Sequence, residues 1–179
     1  MSWKAERLGI DVPSQGKLLL MARNMDNPVH QALFILEYLT AGRISEVLSL
    51  RRKQLRMDVK DGRQVLCILH MLNEKNKRKT MKTFYIPVDK EGKLVTLLLD
   101  YINTRHGFIF PFRSRQRAWQ ILKKYGLFPH FLRHIRLTHL VTIYGFSDRL
   151  LVEYAGWRDS QPAQFYIQLK SDDVLEKMK

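Results

Sequence analysis

Arginine and histidine side chains with helical spacing are the first residues of this sequence that could do chemistry. His130 and Arg133 stand three positions apart, so on a helix they share a face and could grip one phosphate. A solvated basic helix face would give the same pattern. Arg43 precedes a predicted helix and could serve a phosphate as well, or act as a surface charge or pair with Glu46 three positions later.

A tyrosine late in the sequence is a further residue that could do chemistry. Tyr166 ends a polar stretch that starts with Gly156 and Trp157, and the two aromatic rings are nine positions apart. Taken alone, both rings would be core aromatics. A phenol has a pKa of about 10, so a tyrosine that acts as a nucleophile needs a site rich in positive charge.

Histidine spacing does not indicate a metal site. His130 and His134 have the i, i+4 separation of zinc ligands, and His139 follows. The stretch has no carboxylate or cysteine, and two arginines among the histidines would repel a cation. We therefore expect no metal.

Composition points to a nucleic-acid partner. The 179 residues carry a formal net charge of +14, which suits a surface that binds phosphates. No apolar run has the length of a membrane-spanning helix, and the start lacks the apolar core of a signal peptide, so we expect an intracellular protein without a membrane partner. The single cysteine, Cys67, lies in an apolar run and is expected to be buried.

Hydrophobic periodicity predicts helices, then a small sheet, then helices again. Asn27 and Pro28 begin a helix, and Asp61-Gly62 separates two alternating runs as in a β-hairpin. A third strand is expected at TFYIPV, and three further helices end at Gly107, Gly126 and Gly145, with shorter ones after them. The predicted fold class is mainly α with a three-stranded antiparallel sheet (α+β). Residues 1–24 are expected to be an arm or linker, and residues 25–179 one domain.

Four stretches, in order along the chain, resemble the catalytic boxes of the tyrosine recombinases, the family of phage and archaeal integrases. That family has an arginine in Thr-Gly-x-Arg-x-Ser-Glu, a hairpin lysine, His-x-x-Arg on a helix, and Gly-His or Gly-Trp nine residues before its nucleophilic tyrosine. The matching stretches are TAGRISEVLSL (40–50), KTMKTFYIPV (79–88), HFLRHIRLTHL (130–140) and GWRDSQPAQFY (156–166). The resemblance covers roughly residues 27–169 and implies the catalytic domain of a DNA breaking and rejoining enzyme.

The resemblance implies a role for each matching residue. Tyr166 would attack a DNA phosphodiester and form a 3′-phosphotyrosine, while Arg43 and Arg133 would bind the non-bridging oxygens through bidentate hydrogen bonds. His130 would assist proton transfer and Trp157 would lie beside the phosphate. No metal or nucleotide cofactor is implied, because the covalent link keeps the energy of the phosphodiester.

The remaining roles concern a carboxylate and the basic loop NEKNKRKTMK (73–82), which lies between the second and third predicted strands. Glu46 would position Arg43 or another site group. Lys79 is expected to protonate the leaving 5′ hydroxyl, since in the family the catalytic lysine commonly stands eight residues before the proline that closes the third strand, here Pro87. Five further cations are expected to contact DNA: Lys75, Lys77, Arg78, Lys82 and Arg136.

Other functions fit part of the sequence. A type IB topoisomerase would use similar groups to relax supercoils, and a DNA-binding module could keep the fold without catalysis. A basic RNA-binding protein would favour a cluster of aromatic residues that is missing from the sequence. We expect site-specific recombination or integration.

Double-stranded DNA is the expected partner, bound by a homo-oligomer. By resemblance, a tetramer would hold two duplexes. Val174, Leu175 and Met178 lie near one face of a predicted terminal helix that could dock on a neighbouring subunit, or the tail could be frayed.

Overall fold

The fold was obtained as a computed structural model that describes residues 12–73, 80–167 and 178. Its strands are β1 (Leu55–Lys60), β2 (Arg63–Leu72) and β3 (Met81–Pro87), paired antiparallel in the order β1-β2-β3. Its helices are α1 (Gln15–Arg23), α2 (Pro28–Thr40), α3 (Ile44–Leu48), α4 (Val88–Ile102), α5 (Arg115–Lys123), α6 (Pro129–Thr142), α7 (Asp148–Ala155) and α8 (161–167). The predicted fold class is confirmed. None of the described helices is long and apolar enough to cross a membrane.

The first hairpin has the predicted turn. Lys60 pairs with Arg63, and the two residues between them, Asp61 and Gly62, have φ of 52° and 74°. Positive φ at both positions is the conformation of a two-residue hairpin turn, whose twist matches that of the strands.

Alternation along β3 decides which side chains face the protein. Lys82, Phe84 and Ile86 are buried, while Met81, Thr83 and Tyr85 between them are exposed. The inward face of this strand therefore carries a lysine next to two apolar residues, a placement that follows from the two-residue period of a strand.

Helix α2 forms the centre of the molecule. The Asn27 side chain accepts a hydrogen bond from the Val29 amide at 2.9 Å, and Pro28 is the first helical residue. Every residue from Ala32 to Thr40 is buried, because α4 packs on one side and α6 on another. A polar side chain on this helix, such as Glu37, is therefore enclosed as fully as an apolar one.

Residues 15–23 correct the expected arm over residues 1–24. They form helix α1, capped by Ser14, whose Leu18 and Ala22 are buried in the main core against α2 and α4. Only these two of its nine residues are fully buried. A helix with so narrow a buried face has a weak hydrophobic periodicity in its sequence, and this is why the sequence does not indicate a helix here. Residues 1–11 lie outside the described part of the chain, as do Val174 and Leu175 of the expected terminal helix, while Met178 is exposed.

Candidate active site

Five of the predicted catalytic residues line one open pocket of about 1050 Å³. They come from three separate segments of the chain: Arg43, His130, Arg133, Trp157 and Tyr166. The pocket lies where the turn before α3, helix α6 and the segment from the end of α7 to α8 meet. Residues up to 123 positions apart in sequence thus share one cavity.

Arg43 is positioned by a tight turn between α2 and α3. Ala41 has φ of 47°, and a Cβ on Gly42 would lie 2.6 Å from the Met71 side chain and 2.9 Å from the Thr40 hydroxyl, so a larger residue there would require these side chains to shift. Arg43 is then the N-cap of α3. Glu46 accepts hydrogen bonds from the Arg43 amide at 3.1 Å and from its Nη1 at 3.2 Å.

Glu46 also binds a lysine. The Lys82 Nζ lies 3.3 Å from Glu46 Oε2, and both side chains are buried. Burial lowers the pKa of Lys82, while the Glu46 carboxylate opposes that shift. Strand alternation places this lysine inside, beside the carboxylate that holds Arg43, and its contact with DNA stays a prediction.

The other cations of the basic loop lie outside the described residues. These are Lys75, Lys77, Arg78 and Lys79. Their assignment stays a prediction, including that of Lys79 as the proton donor.

Arg133 is held by main-chain carbonyls. Its Nη1 donates to the Ala41 carbonyl at 2.6 Å and its Nη2 to the Ala155 carbonyl at 3.2 Å. Within residues 12–73 and 80–167, no carboxylate forms an ion pair with it. Burial lowers the pKa of Arg133, and the neighbouring Arg43 charge lowers it further. Its charge is therefore left for a ligand of the pocket.

Tyr166 is nearly enclosed at the pocket wall, with 6% of its surface exposed. Its ring stacks on Trp157 with centroids 6.1 Å apart and an interplanar angle of 20°. Burial raises the pKa of Tyr166 to about 12, and the positive charge of Arg133 opposes the rise. The phenol is thus neutral at pH 7.

His134 contacts the hydroxyl of this tyrosine, which sequence reasoning did not foresee. The His134 Nδ1 and the Tyr166 Oη are 3.1 Å apart, and the histidine is 2% exposed. Nothing in the sequence links the two, since they are 32 positions apart. His130 occupies a different place, in the exposed first turn of α6 at the pocket.

Arg136 corrects a prediction. It was expected to contact DNA, yet it is 2% exposed and its guanidinium pairs with both oxygens of Glu91 on α4, with Nη2 2.9 Å from Oε2. The physical reason is that α6 is buried on all sides from Leu132 to Val141, so a position outside the pocket also points into the protein.

Comparison with known proteins identifies the family. The phage integrase family matches residues 14–172. The chain belongs to that family. This result confirms the resemblance to the tyrosine recombinases. By sequence, no curated protein matches the chain.

Solved structures share the fold. The XerH site-specific recombinase bound to its difH substrate has a TM-score of 0.61 at 16% identity, over 84% of this chain and 48% of XerH. The Tn1549 transposon integrase with circular intermediate DNA has a TM-score of 0.58 at 16% identity, over 93% of this chain and 64% of the other. The FLP recombinase in complex with a Holliday junction has a TM-score of 0.54 at 14% identity, over 82% of this chain and 43% of the FLP chain. This family member thus spans from under half to nearly two thirds of these chains.

Proposed function

We propose that this integrase-family chain cuts and rejoins double-stranded DNA in site-specific recombination, with Tyr166 as the nucleophile. The observation that carries the proposal is the shared pocket, in which Tyr166 meets Arg43, Arg133 and His130. The net charge of +14 supports a polyanionic substrate. The structural neighbours XerH, Tn1549 integrase and FLP were all solved with DNA, which supports the same substrate class.

The two arginines bind the scissile phosphate. Each guanidinium offers a planar fork of donors to the non-bridging oxygens, and those bonds strengthen as charge builds in the transition state. Arg133 is fixed by carbonyls and Arg43 by Glu46, so their orientation is set before DNA arrives. Tyr166 Oη attacks phosphorus, the bond to the 5′ oxygen breaks, and a 3′-phosphotyrosine forms.

His134 accepts the proton of the attacking phenol. Its Nδ1 already lies within hydrogen-bond reach of Tyr166 Oη, while His130, at the mouth of the pocket, hydrogen-bonds the phosphate. Replacing His134 with Gln should slow adduct formation about 10²-fold or more without weakening DNA binding. His106→Gln, at an exposed position, is the matched control. An unchanged rate for His134→Gln would remove it from the mechanism.

A lysine protonates the departing 5′ oxygen, and we assign this role to Lys79. Lys82 is the rival, since it is buried beside Glu46. The assignment is tested with DNA that carries sulfur at the 5′ bridging position, because a thiolate leaves without a proton. Rescue of Lys79→Ala by this substrate, with no rescue of Lys82→Ala, is expected. The reverse result would transfer the role to Lys82.

The decisive experiment is the search for a covalent adduct. Wild-type protein and Tyr166→Phe are mixed with radiolabelled nicked duplex, and an SDS-stable protein–DNA band is expected only with Tyr166. A band of equal intensity with Tyr166→Phe would reject the nucleophile, and DNA binding without any band would favour a binding module. A two-site strand-exchange assay then separates recombination, which gives joined products, from relaxation, which gives none.

Assembly into a tetramer on two duplexes is part of the proposal. It rests on the family resemblance and is tested by measuring the mass of the protein–DNA complex by light scattering. Removing residues 171–179 should weaken the assembly if the terminal segment docks on a neighbouring subunit. Unchanged assembly after this truncation would reject that role for the tail.

A further inference from the structure

A second buried carboxyl lies at the same pocket and has no assigned role. Glu37, in the middle of α2, is completely buried yet lines the pocket together with Arg43 and Arg133. Among the described residues, neither of its carboxyl oxygens has a hydrogen-bond partner. Buried polar atoms are nearly always paired, so this exception requires a physical account.

Comparison with Glu46 shows what a stable buried carboxylate has at this site. Glu46 accepts from the Arg43 amide and guanidinium and from the Lys82 ammonium. Within the described part of the chain, Glu37 lacks such donors. Burying a carboxylate without donors is strongly unfavourable, whereas the protonated acid avoids most of that cost. The geometry therefore favours the uncharged form of Glu37.

The charges around Glu37 come from three other elements. Arg133 faces it from α6, Glu46 from α3 and Lys82 from β3. Burial raises the pKa of Glu37 well above its ordinary value; Arg133 opposes the rise, Glu46 adds to it, and Lys82 opposes it. The direction agrees with the missing hydrogen bonds.

The charge of Glu37 matters because it sets the charge of the site. Among the described side chains, Arg43, Lys82 and Arg133 are three cations and Glu46 is one anion, while Arg158 and Asp159 at the pocket offset each other, which leaves two positive charges in excess when Glu37 is neutral. A phosphodiester carries one negative charge and gains more in the transition state of attack. An ionised Glu37 would cancel one of the two excess positive charges.

We propose that Glu37 remains an uncharged carboxylic acid while the pocket acts on a phosphate, and that its ionisation at alkaline pH weakens phosphate binding and cleavage. Only the part of this inference that concerns phosphate binding and cleavage rests on the proposed function. The protonation state can be tested by folding stability, without any reaction.

The first measurement is the thermal midpoint of wild type and Glu37→Gln between about pH 5 and pH 8. The unfolded chain releases the Glu37 proton at a lower pH than the folded one, so wild type loses stability relative to Glu37→Gln as pH rises. The midpoint of wild type minus that of Glu37→Gln should therefore fall as pH rises. Glu153→Gln, on the exposed face of α7, should show a constant gap. A constant gap for Glu37→Gln would mean an ordinary, ionised carboxylate and would overturn the proposal.

The second measurement is the rate of adduct formation by Tyr166 with nicked duplex. Glu37→Gln is expected to react within about threefold of wild type at pH 7 and to retain its rate at alkaline pH, where wild type slows as the acid ionises. A tenfold loss at pH 7 with unchanged DNA affinity would overturn the proposal, because the acid itself would then be required. Glu37→Met serves in both measurements if Glu37→Gln fails to fold. Absence of any adduct with wild type would instead reject the proposed function and leave the stability result to decide the charge of Glu37.

Discussion

Two arginines one turn apart on α6 are both buried, yet they differ in what surrounds their charge. Arg133 donates to the carbonyls of Ala41 and Ala155, while Arg136 pairs with the carboxylate of Glu91. Carbonyls fix a guanidinium without neutralising it, whereas a carboxylate cancels its charge. The first arrangement suits a residue that must bind an anionic ligand, and the second suits a residue that only holds helices together.

The surroundings of Arg136 support that structural interpretation. Its guanidinium lies 4.9 Å from the centre of the Tyr38 ring and 5.7 Å from that of Tyr154, and its Nη2 donates to the Tyr154 hydroxyl at 3.2 Å. Through Glu91 it joins α6 to α4. In a protein with +14 net charge, the basic residues available for phosphate are therefore identified by their partners more than by their sequence position.

Removing the structural arginine should have the largest effect on the stability of the fold. Arg136→Met leaves the Glu91 carboxylate buried without its cation, so the free energy of unfolding should fall by about 3–5 kcal/mol. The measurement is urea denaturation followed by circular dichroism. Adduct formation per folded molecule should stay near wild type. If fully folded Arg136→Met formed less adduct than wild type, Arg136 would have a role in the reaction and would not differ from Arg133 in that respect.

Changing the pocket arginine should give the opposite pattern. Arg133→Lys keeps the charge but loses the planar fork, so the rate of adduct formation should fall about 10²- to 10³-fold. Its unfolding free energy should change much less than that of Arg136→Met. Arg149→Lys, at an exposed position on α7, is the matched control and should react normally. Normal reaction by Arg133→Lys would show that charge alone suffices.

Acid should destabilise the Arg136 region through His139. The His139 Nε2 donates to the Pro13 carbonyl at 2.8 Å, and its Nδ1 accepts from the Tyr38 hydroxyl at 2.8 Å, so the folded state holds the neutral ring. Burial lowers the pKa of His139 to about 4, while the Pro13 hydrogen bond opposes the shift. The unfolded chain therefore binds the proton first, and stability is lost as pH falls from about 6.5 to about 4.

The check is the thermal midpoint measured across this pH range. His139→Asn should show a flatter acid limb than wild type, and His106→Asn, at an exposed position, should match wild type. Identical slopes for wild type and His139→Asn would assign the acid sensitivity to other groups.

The smallest effect should come from removing the buried pair as a whole. Arg136→Met combined with Glu91→Leu leaves neither charge unpaired, so the free energy of unfolding should return to within about 1 kcal/mol of wild type. A double variant as unstable as Arg136→Met alone would show that the tyrosine contacts, rather than the ion pair, carry the stability of this region.

Much of the fold follows from local patterns in the sequence. The Asn27-Pro28 start of α2 and the Asp61-Gly62 turn depend on residues adjacent in the chain, and both are confirmed. Helix α1 was missed, because its burial comes from contacts with α2 and α4 rather than from its own period.

The same distinction applies to the candidate site. The resemblance to the tyrosine recombinases pointed to Arg43, His130, Arg133, Trp157 and Tyr166, and they line one pocket. Spacing could not reveal that His134 contacts Tyr166 or that Glu37 lies beside Arg133, since these neighbours come from different elements. Spacing also could not show that Arg133 is held by main-chain carbonyls whereas Arg136 pairs with the Glu91 carboxylate.

Residue type and short-range period are enough to define the chemical groups of this chain, their order, and most of the elements that carry them. Which charges are neutralised and which remain for a ligand depends on the tertiary structure. The physical reason is that the state of a buried charge depends on the atoms packed around it, and chain segments distant in sequence supply those atoms. Lys82 next to Glu46, and Arg136 next to Glu91, are cations whose environment is set in that way.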